Sequence, residues 1–142
     1  MILIPDLSID RIIFSMVPGL AAAIFAYFIN SKSLKYLGQG VVTYWAPVFE
    51  ESLKTGFAFI LRANIIISHG SFGAVEALYD IYKSRGNIAY LAGFTGFVSH
   101  LFFGVLTQYM IEYFDSYFFA VLIVIGIHIF WNTIVIYISK GV

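Results

Sequence analysis

Apolar runs at about 12–30, 38–61, 64–82, 88–111 and 117–138 alternate with the short polar breaks "NSKSLKY", "RAN", "KSRGN" and "EYFDS". A helix needs roughly 20 mostly apolar residues to cross a bilayer, and each run approaches or exceeds that length. The breaks are too short to hold a soluble domain, so neighbouring helices are expected to form antiparallel hairpins. This pattern predicts an all-α fold, a polytopic membrane helix bundle of about five transmembrane helices in a single membrane-embedded domain over residues 1–142. There is no internal repeat and no low-complexity segment.

Lysine and arginine near the helix ends set the expected orientation. Lys32, Lys35, Lys83, Arg85 and Lys140 fall on one side, and Arg11 and Arg62 on the other. The N-terminus is therefore expected outside and the C-terminus in the cytoplasm. Tyr36, Tyr79, Tyr82, Tyr90 and Tyr137 near the inner ends, with Tyr109, Tyr113 and Tyr117 near the outer ones, fit interfacial aromatic belts. A cleaved signal peptide over "GLAAAIF" is the weaker reading of the start, because Asp6 and Asp10 accompany only Arg11 and make no basic leader.

Composition strengthens this picture. Hydrophobic residues are 61% of the chain and charged residues 11%, against about a quarter charged in a soluble domain; the mean hydropathy is +0.90. The eight basic residues are scattered and the net charge is zero, so there is no electrostatic footprint for nucleic acid. Without cysteine there is no disulfide, thiolate metal site or cysteine nucleophile. Chemistry must come from Glu, Asp, His, Lys, Ser or Tyr.

Ionisable groups inside a spanning helix cost a few kcal/mol each and usually face the bundle interior. The second helix carries Glu50, Glu51 and Lys54; the third has His69, Glu76 and Asp80; the fourth has His100; the fifth has His128 and Asn132. With a rise of 1.5 Å per residue, Glu50, Glu76, His100, His128 and Asn132 fall within roughly 9 Å of one another in depth. Four helices thus deliver polar groups to one layer, close to the bilayer centre on its cytoplasmic side.

Successive helical residues point about 100° apart, so Glu50 and Glu51 cannot both face one pocket centre. Lys54 is within reach of either, and one division leaves one carboxylate free while the other pairs with Lys54, so that the two hold protons differently. Pro47 is expected to kink the helix and to leave the Thr43 carbonyl without its helical partner. A buried carboxylate near a histidine can take a proton from water. His and Asn on another helix can donate to the oxyanion formed when that water attacks a carbonyl. The inventory suits amide hydrolysis within or beside the membrane. Zinc hydrolysis is the neighbouring reading, with Glu76, His100 and His128 as ligands and Glu50 or Glu51 as base.

In order along the chain, "EESLK" (Glu50 to Lys54), "FGAVE" (Phe72 to Glu76), His100 in "FVSHLFFG" and "HIFWN" (His128 to Asn132) resemble the four motifs of PrsW-type intramembrane proteases. That family belongs to the broader group of CAAX proteases and bacteriocin-processing enzymes. The resemblance covers about residues 45–135 and implies a glutamate-dependent peptidase of a prokaryotic cytoplasmic membrane, with no cofactor expected and zinc as the alternative. By position, it implies that Glu50 is the general base, that His100 helps to hold water, and that His128 and Asn132 form the oxyanion hole. Glu51 and Lys54 would support the site, with Glu76 as the additional acid. Ala77 departs from the Asn usual after that acid. Thr55 stands where the CAAX branch has Arg, which argues against prenylated substrates. The chain is short for the group, as either a minimal core or half of a homo-oligomer would be.

The plainer readings are a structural charge cluster for Glu50, Glu51 and Lys54, and interhelical hydrogen bonding for each histidine alone and for Asn132. His69 and Asp80, near helix ends, read as interfacial. Gly93 and Gly96 read as permitting close helix packing, and Trp131 as packing. The leading expectation is a peptidase acting on a membrane-embedded or membrane-adjacent polypeptide. A proton-coupled carrier or relay, and a non-catalytic relative that only binds a membrane peptide, are the competing classes.

Overall fold

A computed structural model of the chain describes residues 8–38, 40–83 and 86–140. Asp6, Arg85 and the side chain of Lys140, which entered the reading of orientation and leader, lie outside the described residues. The order is α1 (Ile9–Leu37), a π-helical turn (Val41–Trp45), α2 (Ala46–Leu61), α3 (Ile65–Lys83), α4 (Asn87–Phe114) and α5 (Tyr117–Lys140), with no strand among the described residues. The chain is all-α.

Local chemistry accounts for the ends. Arg62 closes α2 in the left-handed region (φ 53°), its N–H returning to the Ala58 and Phe59 carbonyls as an αL cap does. Asn64 then accepts the Ile67 N–H at 3.0 Å and starts α3. Its own N–H is held by Ser15 Oγ of α1. One boundary differs from expectation: "NSKSLKY" does not end the first helix, which runs on to Leu37 and stops at Gly38, φ 68°. Polar residues lower hydropathy without breaking a helix, whereas glycine with positive φ does break it.

α3 lies between α1 and α4, and α2 fills the remaining side against α1, α3 and α5. Small residues let these axes approach. A Cβ on Gly73 would meet His100 Cβ, one on Gly70 would meet Leu101, and one on Gly104 would meet His69 Cβ and the Ile66 backbone. Gly93 packs against the Ala77 carbonyl as expected, but Gly96 faces open space. Gly19 of α1 is the tightest case, since its missing Cβ would collide with the Ser68 carbonyl and Ser71 Oγ of α3. Gly19→Ala is accordingly expected to push α1 off α3 and destabilise by about 1–3 kcal/mol. Gly96→Ala should instead be neutral or stabilising, from helix propensity alone. Unfolding of each variant by SDS titration in bicelles checks the contrast.

Polarity is arranged inside out. Ile24, Phe28, Leu91 and Phe130 are each about 60% exposed or more, while Glu51 and Lys54 are 1% and 0% exposed. Water would penalise so much contiguous apolar surface; hydrocarbon would not. Among the described residues, three helices are long and apolar enough to cross a bilayer, over Ile9–Tyr36, Ala89–Phe114 and Tyr117–Ile138.

Candidate active site

The buried face of α2 is Glu50, Glu51, Lys54, Thr55 and Ala58, a helical stripe with the spacing of a core face but filled by charge. The two carboxylates diverge as adjacent helical residues must. Glu50 turns towards α1 and α3, and Glu51 towards α3 and α5.

Glu51 is the anion at the centre. Its Oε1 accepts from Lys54 Nζ at 2.7 Å and from His128 Nδ1 at 2.7 Å. Its Oε2 lies 3.6 Å from His69 Nδ1. The Lys54 ammonium continues to His100 Nδ1 at 3.1 Å and sits 4.6 Å above the centre of the Phe72 ring, a cation–π contact in a desolvated setting. Because an ammonium has only donors, the His100 Nδ1 accepts, so that ring carries its proton on Nε2. That nitrogen donates to Glu76 Oε2. Phe103 packs 4.6 Å from the His128 ring and walls the cluster.

Glu50 completes a second group. Its Oε1 accepts from Asn30 Nδ2 of α1 at 3.0 Å. One carboxylate oxygen of Glu50, one of Glu76 and a ring nitrogen of His100 all lie within 4.8 Å of one another. Glu50 and His100 are buried, while the Glu76 side chain is 40% exposed, so the group reaches the outside of the bundle at Glu76.

The structure therefore gathers Glu50, Glu51, Lys54, Glu76, His100 and His128. Asn132 is engaged elsewhere. The π turn pairs each N–H with the carbonyl five residues back, as the Ala46 N–H does with Val41 O. With the Ala46 N–H taken by Val41 O and no N–H on Pro47, Val42 O at the passage from π to α helix accepts from Asn132 Nδ2 at 3.0 Å. Asn132→Ala should cost about 1 kcal/mol, and less in a Pro47→Ala background, where residue 47 regains an N–H. Unfolding of the double-mutant cycle measures this; an undiminished penalty would mean that the amide serves something else.

Two further corrections concern histidine. His69, expected at an interface, is fully buried against Glu51, with Thr55 Oγ1 3.3 Å from its Nε2; Gly104 admits it by letting α4 come close. Among the described residues, the carboxylate and imidazole set close enough for a cation is Glu50, Glu76 and His100, whereas His128 is turned to Glu51. Asn30 is absent from the sequence reading, which places His69 at the interface. Asn30 sits where the first apolar run ends and carried only the signal of a boundary.

As chemistry, the arrangement offers a carboxylate, Glu50, beside a histidine and a second carboxylate. On the other side, a lysine held between Glu51 and His100 balances one buried negative charge. Three comparisons add no relative: no family model matches the chain, and no curated protein and no solved structure matches it.

Proposed function

We propose that the chain is a PrsW-like intramembrane peptidase that hydrolyses a peptide bond in a membrane-embedded or membrane-adjacent polypeptide. The observation that carries this reading is the meeting of Glu50, Glu76 and His100 within 4.8 Å, inside a bundle whose outer surface is apolar. All five helices lie within the bilayer, the N-terminus outside and the C-terminus in the cytoplasm, as the positive residues indicate.

Glu50 takes a proton from a water molecule held beside it in the group that it forms with Glu76 and His100, and the hydroxide attacks the scissile carbonyl. His128 keeps its Nδ1–H on Glu51, so it donates to the oxyanion through Nε2 when the ring carries both protons. The proton gained by Glu50 passes to the departing amine as the C–N bond breaks. Glu51 and Lys54 hold the two histidines in place.

The same trio favours a second reading, a divalent cation held by two carboxylates and an imidazole, polarising water in place of Glu50 acting as base. It requires His100 Nε2 to give up the proton that the Lys54 contact assigns to it, which makes the metal-free reading the better supported. Cleavage that persists after chelation separates the two.

The test presents wild type and Glu50→Gln, each purified into liposomes, with a library of single-span peptides and looks for new termini by mass spectrometry. Cleavage by wild type alone is expected. Proton flux that needs Glu76 and no peptide would favour the relay instead. Tight peptide association without turnover, unchanged in Glu50→Gln, would favour the binding relative.

A further inference from the structure

The mechanism above leaves one buried ionisable side chain unused. His69 is 0% exposed and Glu51 1%. His69 Nδ1 and Glu51 Oε2 are two buried polar atoms without a hydrogen-bond partner among the described residues, and they stand 3.6 Å apart. Buried polar atoms are almost always satisfied. At that separation they are an ion-pair distance apart. On the far side of the ring, Thr55 Oγ1 is 3.3 Å from Nε2, and a hydroxyl can donate or accept there. Thr55 therefore leaves His69 free to place its proton on Nδ1.

We propose that His69 is a positioning residue for this site, its Nδ1–H directed at Glu51 Oε2 and its Nε2 resting on the Thr55 hydroxyl. The geometry gives the role its content. Glu51 Oε1 already carries both Lys54 and His128. A donor on Oε2 fixes the rotation of the carboxylate, and with it the places of Lys54 against His100 and of His128 beside Phe103. His69 touches no reacting atom; it acts through Glu51. Its consequence for cleavage rests on the peptidase reading, but its bond to Glu51 does not.

Two measurements test it on the full-length protein. The chain has three histidines, so the ring-nitrogen NMR spectrum of protein labelled with ¹⁵N-histidine, in nanodiscs, contains three rings, and His69→Asn identifies one by its loss. The expected result is a His69 ring protonated at Nδ1. A ring protonated at Nε2 alone, with its proton facing Thr55, would overturn the proposal. The second measurement uses the two amide isosteres. Asn places its NH2 near the position of Nδ1, and Gln near that of Nε2. His69→Asn should keep the SDS-unfolding midpoint and kcat close to wild type. His69→Gln should lower the midpoint and reduce kcat by up to about a hundredfold with KM little changed, the scale of a misplaced catalytic group. Equal losses in the two variants would make His69 a packing residue and end the proposal. If wild type cleaves nothing, the peptidase reading fails, and the tautomer and the unfolding midpoints still decide the role of His69.

Discussion

Lys54→Met is expected to destabilise the bundle by about 3–5 kcal/mol, the cost of removing one partner from a buried ion pair. The ammonium is fully enclosed, 2.7 Å from Glu51 Oε1 and 3.1 Å from His100 Nδ1. Methionine fills the space over Phe72 but donates nothing. Glu51 Oε1 would then keep only His128 as donor, and His100 would lose the contact that sets its tautomer. Restoring balance should restore stability: the double variant Glu51→Gln with Lys54→Met removes both charges and should recover much of the loss. Lys54→Arg should fare poorly despite its charge, since a planar guanidinium does not fit a slot shaped for a compact ammonium. SDS-titration unfolding in bicelles measures all of these. A Lys54→Met midpoint equal to wild type would mean that Glu51 is balanced by the histidines without Lys54.

How much of this could be read from the chain is best seen residue by residue. Counting helical rise from the inner ends puts Glu50, Glu76 and His100 in one layer, within roughly 9 Å of depth, and they meet. Depth is a property of sequence when helices are long and nearly antiparallel. Azimuth is not, and there the reading stopped. It could not tell that Glu51, rather than Glu50, takes Lys54, because both are within reach along the helix. Asn132 has the right depth, but the π turn at Val41–Trp45 presents the Val42 carbonyl to its amide. A shift of register from four to five residues has no reliable sequence mark. Asn30 sits at the end of an apolar run and His69 near the start of one, where hydropathy sees a boundary, so Asn30 goes unnoticed and His69 reads as interfacial. Their roles depend on partners twenty or more positions away for Asn30 with Glu50, and on the close approach that Gly104 permits for His69. The helix count is legible from the alternation of long apolar runs and short polar breaks. The length of α1 was not, since polar residues at 30–35 lower hydropathy without ending a helix.

Glu50→Gln is expected to leave the bundle folded and to remove cleavage, by a factor of about 10²–10⁴ if Glu50 is the general base. The two halves of that expectation have different causes. The Asn30 amide donates to Glu50 Oε1, and glutamine keeps a carbonyl oxygen that can accept the same bond. Glu50 makes no bond to Lys54, so neutralising it strands no cation. Stability should thus stay near wild type, in contrast with changes at Lys54. A glutamine amide, however, cannot take a proton from water at any working pH, so the step that creates hydroxide is lost while water and peptide still bind. KM should change little and kcat should fall, the pattern for an interaction made in the transition state alone. Glu76→Gln serves as the discriminating companion. It keeps an acceptor for His100 Nε2–H and removes a charge from the group, so a partial loss is expected if Glu76 only tunes the trio. A loss as deep as that of Glu50→Gln would make Glu76 the base. Full cleavage by Glu50→Gln, with unaltered KM, would remove Glu50 from the role and leave the buried carboxylate of α2 as a device of assembly.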